Sequence, residues 1–244
     1  MTSSRLRSNV ATYFDVCCEV RRTLPRFDSQ NRGCSLNILY PPGFDDKALL
    51  KSIPQFCFPC NSENDESDAV QLFTFALTDA AGQYTFGYCR YTPGINTCLC
   101  VLSGLSASLW ATHFYKFLNH LSNVVNNGTH EDIEALMINA YCTDIQQYVE
   151  GQTSGAKLTL NACTSIGKFS EDIPDNTKLP TLSTDKIMLE FYNAINERQM
   201  IPLYCSLLKE RRIIFTSRKL GQFMCLCRNT AALSISLAEL VRLV

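Results

Sequence analysis

An α+β lobe followed by the opening of an α/β lobe is the fold class this sequence predicts. Three observations carry the prediction. Short alternating or continuous apolar runs fill positions 12–103, broken by Pro and Gly turns. Two long stretches of helical period follow, between 107 and 150, with their own start and stop residues. From position 186 the pattern becomes helix, short apolar strand, helix, the order of a parallel α/β layer.

The elements follow in chain order. Residues 12–21 place Phe14, Val16, Cys18 and Val20 on one side, with Asp15 and Glu19 on the other, which predicts a half-buried strand. Ser35 to Leu39 is a second strand, stopped by Pro41-Pro42-Gly43. Asp45-Asp46 opens a helical turn that Pro54 is expected to interrupt, ahead of an acidic loop from Asn61 to Asp68. QLFTFALT (71–78) puts Phe73, Phe75 and Leu77 on one face, and YTFGYCRY (84–91) puts Phe86 with Tyr88. TCLCVLS (97–103) is apolar on both faces, as a central strand should be. Gly82 and Pro93-Gly94 supply the turns of this antiparallel meander.

Trp110, Phe114, Phe117, Leu118, Leu121, Val124 and Val125 then form one apolar helical stripe. Asn127-Gly128 ends that helix, and Thr129 to Asp132 reads as a capping box for the next. The second helix carries Ile133, Leu136, Met137, Ala140, Tyr141 and Ile145. Residues 11–150 are thus expected to form one lobe behind a flexible stretch, 1–10. Residues 151–185, rich in Gly, Ser, Thr and Asp, predict a linker with one or two weak strands near Leu158 and Phe169. In residues 186–244, Leu203, Tyr204, Leu207 and Leu208 share a helical face. A short buried strand, Ile213 to Phe215, and a helix with Leu220, Phe223, Met224 and Cys227 complete the pattern.

Composition narrows the function. The 244 residues are 46% apolar and 18% charged, ordinary for a globular domain. Twenty-two Lys and Arg against 23 Asp and Glu give a net charge of −1, without the basic excess of a nucleic-acid binder. The opening MTSSRLRSNVATYFDV lacks a secretory pattern, so the 13 cysteines are expected to stay reduced in the cytoplasm.

No motif assembles a reactive centre. Cys57-Phe-Pro-Cys60 has redox spacing, but an acidic loop follows it where a thiolate needs a helix N-terminus. Together with Cys98 and Cys100 it is read as structural thiols rather than a zinc site, and no cofactor or metal is expected. Gly104-Leu-Ser106-Ala-Ser108 falls one residue short of a nucleophile elbow, and its serines fit a helix cap. Gly151 to Lys157 misses the spacing and the hydroxyl of a phosphate loop. What remains is LLKERRIIFTSRKL (207–220), where Arg218 and Lys219 follow Ser217 into a helix start. Cations there oppose the helix dipole by some tenths of a kcal/mol each. A solvated edge explains either residue alone; as a group they suit an acidic or phosphate-bearing partner.

PQFCFP (54–59), FTFALTDAAGQYTFGYCR (73–90), CLCVLS (98–103), FYKFLNHL (114–121) and LYCSLLKERRIIFTSRKL (203–220) resemble, in order and spacing, the DENN family of connecdenn type. The resemblance covers most of residues 12–233. It implies a longin-like upstream lobe over 11–150 and an incomplete α/β DENN lobe from 186. It further implies guanine nucleotide exchange on a Rab-family small GTPase, at clathrin-coated vesicles or endosomes, with phosphoinositide membrane and clathrin adaptor as further partners. The expected contacts to GTPase or lipid are Asp79 and Gln83 in the first meander turn, Arg90 at a strand end, and Arg218 and Lys219. The family's central segment continues where this chain reads SISLAELVRLV, so a truncated or alternatively ended second lobe is expected. That ending favours a second reading, a longin-like module that binds trafficking partners without exchange.

Overall fold

A computed structural model describes residues 6–7, 10–22, 33–58, 69–143, 145, 159–172, 193–209 and 211–216. The chain divides into two compact units, 1–179 and 180–244. The first unit is built on five antiparallel strands: Val16–Arg22 (β1), Cys34–Tyr40 (β2), Gln71–Thr78 (β3), Tyr84–Thr92 (β4) and Thr97–Ser103 (β5). Their spatial order is β2-β1-β5-β4-β3, so β5 lies at the centre and is buried at all seven positions. The meander read from the sequence is therefore present, with Phe75 facing Gly87 and Tyr88 facing Val101 across the ladders.

β1 is not half-buried. Pairing to β2 on one side and β5 on the other, it buries Val16 through Val20, including Cys17 and Glu19. The alternation of charges misled because Glu19 keeps its charge compensated, accepting from Arg21 Nε at 3.0 Å and lying 2.9 Å from Nη2. Nor is the N-terminal stretch uniformly flexible. Arg7 donates from Nη1 to both Asp15 oxygens, at 3.0 and 2.8 Å, and from Nη2 to Thr85 Oγ1 at 2.9 Å.

Helix Lys47–Cys57 (α1) lies over one face of the sheet and runs through Pro54 instead of breaking there. Asp46 caps it, accepting from the Leu49 N–H at 3.0 Å, and buried Ile53 and Cys57 anchor its far end. Tertiary burial outweighs the lost backbone bond.

The other face carries Ala107–Asn127 (α2) and His130–Tyr141 (α3). The α2 stripe is buried as its spacing predicts, Trp110 through Val124, with Val125 half-buried. Tyr13 and Tyr88 stack on Phe114 at 4.8 and 4.2 Å, forming the aromatic centre of the core. The capping box of α3 is complete: Thr129 accepts from the Asp132 N–H, and Asp132 accepts from the Thr129 N–H. The helix stops at Tyr141, although Ile145 is still buried in the same core.

The weak strands expected near Leu158 and Phe169 are present, and they tie this stretch into the first unit instead of leaving it a linker. Thr159–Thr164 (β6) and Gly167–Asp172 (β7) form a paired hairpin. Leu160, Ala162 and Phe169 enter the α2/α3 core. The strands read as weak because a two-stranded ribbon needs only one apolar face; what the sequence did not show is that this face packs on the helices. Asp132 accepts from the Ser165 N–H and Oγ, both at 2.7 Å, and Lys116 pairs with Glu171 at 2.8 Å. The compact unit accordingly continues past 150 to Leu179.

In the second unit Glu197–Leu208 (α4) starts at Asn196, whose Oδ1 accepts from the Gln199 N–H at 3.0 Å. Ala194, Ile195, Met200, Leu203 and Phe215 are partly buried, packed against an apolar cluster. The buried strand expected at Ile213 to Phe215 is not formed: residues 211–216 pair with no described strand, and Ile214 is 88% exposed. A lone parallel strand has no ladder to join. The expected helix at 220–227 lies outside the described residues.

One core residue makes the first unit acid-sensitive. His113 is buried among Tyr13, Trp110 and Phe169, with no side-chain hydrogen-bond partner for either ring nitrogen. Burial lowers its pKa to about 4, while Glu171 and the Asp172 backbone pull the other way and Lys116 adds to the depression. The unfolded chain takes up this proton near pH 6.5 and the folded chain only near 4. Stability from the neutral ring is thus whole above about pH 6.5 and drains away as pH falls toward 4, by on the order of 3 kcal/mol. Chemical denaturation across that window is expected to show a flatter pH profile for His113→Leu. An unchanged slope would remove His113 as the cause.

Candidate functional site

The hairpin turn between β3 and β4 is fixed by its own residues. Asp79 Oδ1 accepts from the Gln83 N–H at 2.8 Å, and the Asp79 N–H donates to the Gln83 carbonyl at 3.0 Å. Gly82 supplies the positive φ of 81° that the turn requires. Asp79 and Gln83 are exposed, so the Gln83 side chain is presented on a rigid tip while the Asp79 carboxylate is partly used in holding it.

Arg90 stands elsewhere, seven residues along β4 from Gln83, or roughly 23 Å at strand rise. Its Nε donates to Asn119 Oδ1 on α2 at 2.8 Å, and Nη1 donates to Thr92 Oγ1 at 2.7 Å. Partial burial lowers its pKa. With Glu19, Thr92, Leu99, Ser122, Val125 and Asn126 it lines a narrow cleft of mixed polarity between sheet and α2. The structure therefore does not gather Asp79, Gln83 and Arg90 into one constellation. Arg218 and Lys219 lie outside the described residues.

The motifs that resemble catalytic signatures take structural positions. Ser106 is the N-cap residue of α2, and its carbonyl accepts from the Trp110 N–H at 3.0 Å. Cys57 is the last residue of α1, the end where the dipole disfavours a thiolate. Hydrogen bonds from Cys100 and Cys89 pull its pKa down, yet its bond toward Cys98 and its burial prevail and push it up to about 12. A redox role for Cys57-x-x-Cys60 is thereby disfavoured on physical grounds; Cys60 and the 151–157 loop lie outside the described residues.

Sequence reading weighed Cys57 with Cys98 and Cys100 but missed Cys18 and Cys89. Cys18 and Cys89 are the cross-strand partners of Cys100, and the Cys57, Cys89 and Cys98 sulfurs all lie within 4.8 Å of one another. The signal was available: with Phe86 and Tyr88 facing α2, alternation sends Cys89 to the α1 side. Beside this cluster the Arg22 guanidinium sits 4.5 Å above Phe58, and Phe56, 37% exposed, stacks on Phe75 at 4.9 Å. The four aromatic residues of this face thus grade from buried Phe73 to the partly exposed Phe56.

Among the described residues no helix is long and apolar enough to cross a membrane. The uDENN domain family matches residues 39–92, and the DENN (AEX-3) domain family matches residues 94–236. DENN domain-containing protein 1B of Mus musculus is 33% identical over 230 residues, which cover 94% of this chain and 28% of that protein. The Homo sapiens protein of the same name is 31% identical, over 94% of this chain and 30% of its own length. DENN domain-containing protein 1A of Xenopus laevis is 29% identical, over 94% and 21%. The chain thus spans less than a third of each of these relatives. With a longin-like sheet between helices in its first unit and a DENN match over more than half its length, this chain belongs to the DENN family, among relatives of the connecdenn group.

Proposed function

We propose that the chain acts as a DENN-type guanine nucleotide exchange factor for a Rab-family small GTPase in endocytic and recycling traffic. The observation that carries this reading is the DENN match across residues 94–236. No covalent step is required. The factor binds the nucleotide-free GTPase more tightly than the loaded one, and by reciprocity it weakens nucleotide binding equally. Each 1.4 kcal/mol of preference lowers nucleotide affinity about tenfold.

A rigid, exposed tip and a broad sheet-and-helix surface suit such a grip. Asp79 and Gln83 on the tip, Arg90 beside the narrow cleft, and Arg218 and Lys219 are the proposed contacts. The roughly 23 Å of strand between the tip and Arg90 calls for a partner of protein size, or for two partners. The two cations would also serve an anionic phosphoinositide surface, and a clathrin adaptor is a further proposed partner at coated vesicles or endosomes.

The test is release of fluorescent GDP from a panel of Rab GTPases on addition of the 244-residue chain. Accelerated release from at least one supports exchange. Complex formation with unchanged release at every concentration supports instead a binding module without exchange.

A further inference from the structure

The sheet sorts its cysteines by face. Cys17 faces α2 among Tyr88, Leu99 and Val101, whereas Cys18, Cys89, Cys98 and Cys100 share the face beneath α1. Cys57 descends onto that face from the end of α1. All five are buried, and they come from four separate segments of the chain. A core that only needed small apolar fillers could use Ala or Val at any of these positions. Convergence of thiols from a helix and three strands has a second use.

The distances describe that use. Zinc–sulfur bonds of about 2.3 Å at tetrahedral angles put ligand sulfurs roughly 3.8 Å apart. The Cys57, Cys89 and Cys98 sulfurs already fall within 4.8 Å of one another. Cys100, the cross-strand partner of Cys89, borders that trio on the same face of the sheet. Cys98 and Cys100 flank one point on β5, Cys89 stands across the ladder from Cys100, and Cys57 closes the set from above. Three close sulfurs with Cys100 beside them offer only sulfur donors, with no oxygen or nitrogen member, which suits a thiophilic d10 ion that takes four ligands.

We propose that Cys57, Cys89, Cys98 and Cys100 form a structural zinc site that fastens α1 to the sheet. Each coordinating thiol gives up its proton on binding. Loading accompanies folding, since the finished site is sealed from solvent. The member that sequence spacing left out is Cys89, which enters the set from β4.

The experiment uses the full chain, expressed in zinc-supplemented medium and purified under thiol-reducing conditions. Elemental analysis is expected to find about one zinc per chain, retained by Cys34→Ser and lost by Cys98→Ser. Should Cys98→Ser fail to fold, cobalt titration of the chelator-treated wild-type chain decides. Visible bands of tetrahedral thiolate cobalt, quenched by one equivalent of zinc, support the site. Recovery of protein with no bound metal and no cobalt spectrum overturns it, and stoichiometric copper in place of zinc overturns the assignment of the ion.

Discussion

Phe114→Ala is expected to destabilise the first unit by about 3–5 kcal/mol, a large share of the 5–15 kcal/mol that typically holds a domain together. Phe114 has no solvent exposure and sits between two tyrosines, stacked at 4.8 Å on Tyr13 and at 4.2 Å on Tyr88. Tyr13 precedes β1, Tyr88 lies on β4, and Phe114 is on α2, so one ring joins three elements. The surroundings are poorly placed to collapse into the gap. Tyr88 is tethered by its hydroxyl, which donates to the Leu105 carbonyl at 2.7 Å, and Trp110 and Phe117 are held on the same helix. The cost should therefore include both lost transfer energy and a lasting cavity. Urea denaturation followed by circular dichroism measures it, with Phe56→Ala as the contrast. That ring, 37% exposed, should cost well under half as much.

The second large effect concerns the β6–β7 hairpin. Phe169→Ala is expected to cost about 3 kcal/mol, because a 5%-exposed ring there packs edge-on against Phe117 at 5.7 Å and leans on His120 at 5.3 Å. Were residues 151–185 only a linker, the substitution would be close to neutral. Denaturation midpoints therefore separate the two descriptions. Hydrogen exchange would locate the loss: amides of β6, β7 and the first turn of α3 should lose protection first, since Asp132 ties that turn to Ser165. The Asp132 carboxyl, held far below the usual range by hydrogen bonds from Ser165 and Thr129, supports this junction above about pH 4 and releases it in stronger acid.

These two residues also mark what the sequence could and could not disclose. Phe114 belongs to a stripe of strict helical period, and such a stripe has only one way to be buried. The β3–β4–β5 meander was equally legible, because β5 is apolar on both faces and its turns carry Gly82 and Pro93-Gly94. Phe169 was legible only as part of a weak strand: a single apolar residue amid Gly, Lys, Ser, Glu and Asp gives no sign that it reaches a core. β1 misled for a related reason, since Glu19 is a charge that the fold buries beside Arg21. Ile213 to Phe215 misled in the opposite direction, a β-rich triplet without ladder partners among the described residues. For the site, pairing across the sheet was the missing information. Cys98 and Cys100 were evident as a pair, but only strand register sets Cys89 opposite Cys100 and separates Arg90 from the Asp79–Gln83 tip.

Affinity for one responsive Rab GTPase, measured by calorimetry in its nucleotide-free and GDP-bound forms, bears most directly on exchange by preferential grip. The account predicts at least a tenfold tighter complex with the nucleotide-free form, about 1.4 kcal/mol or more. Equal affinity for the two forms would contradict it, since a partner indifferent to the nucleotide state cannot drive the nucleotide off.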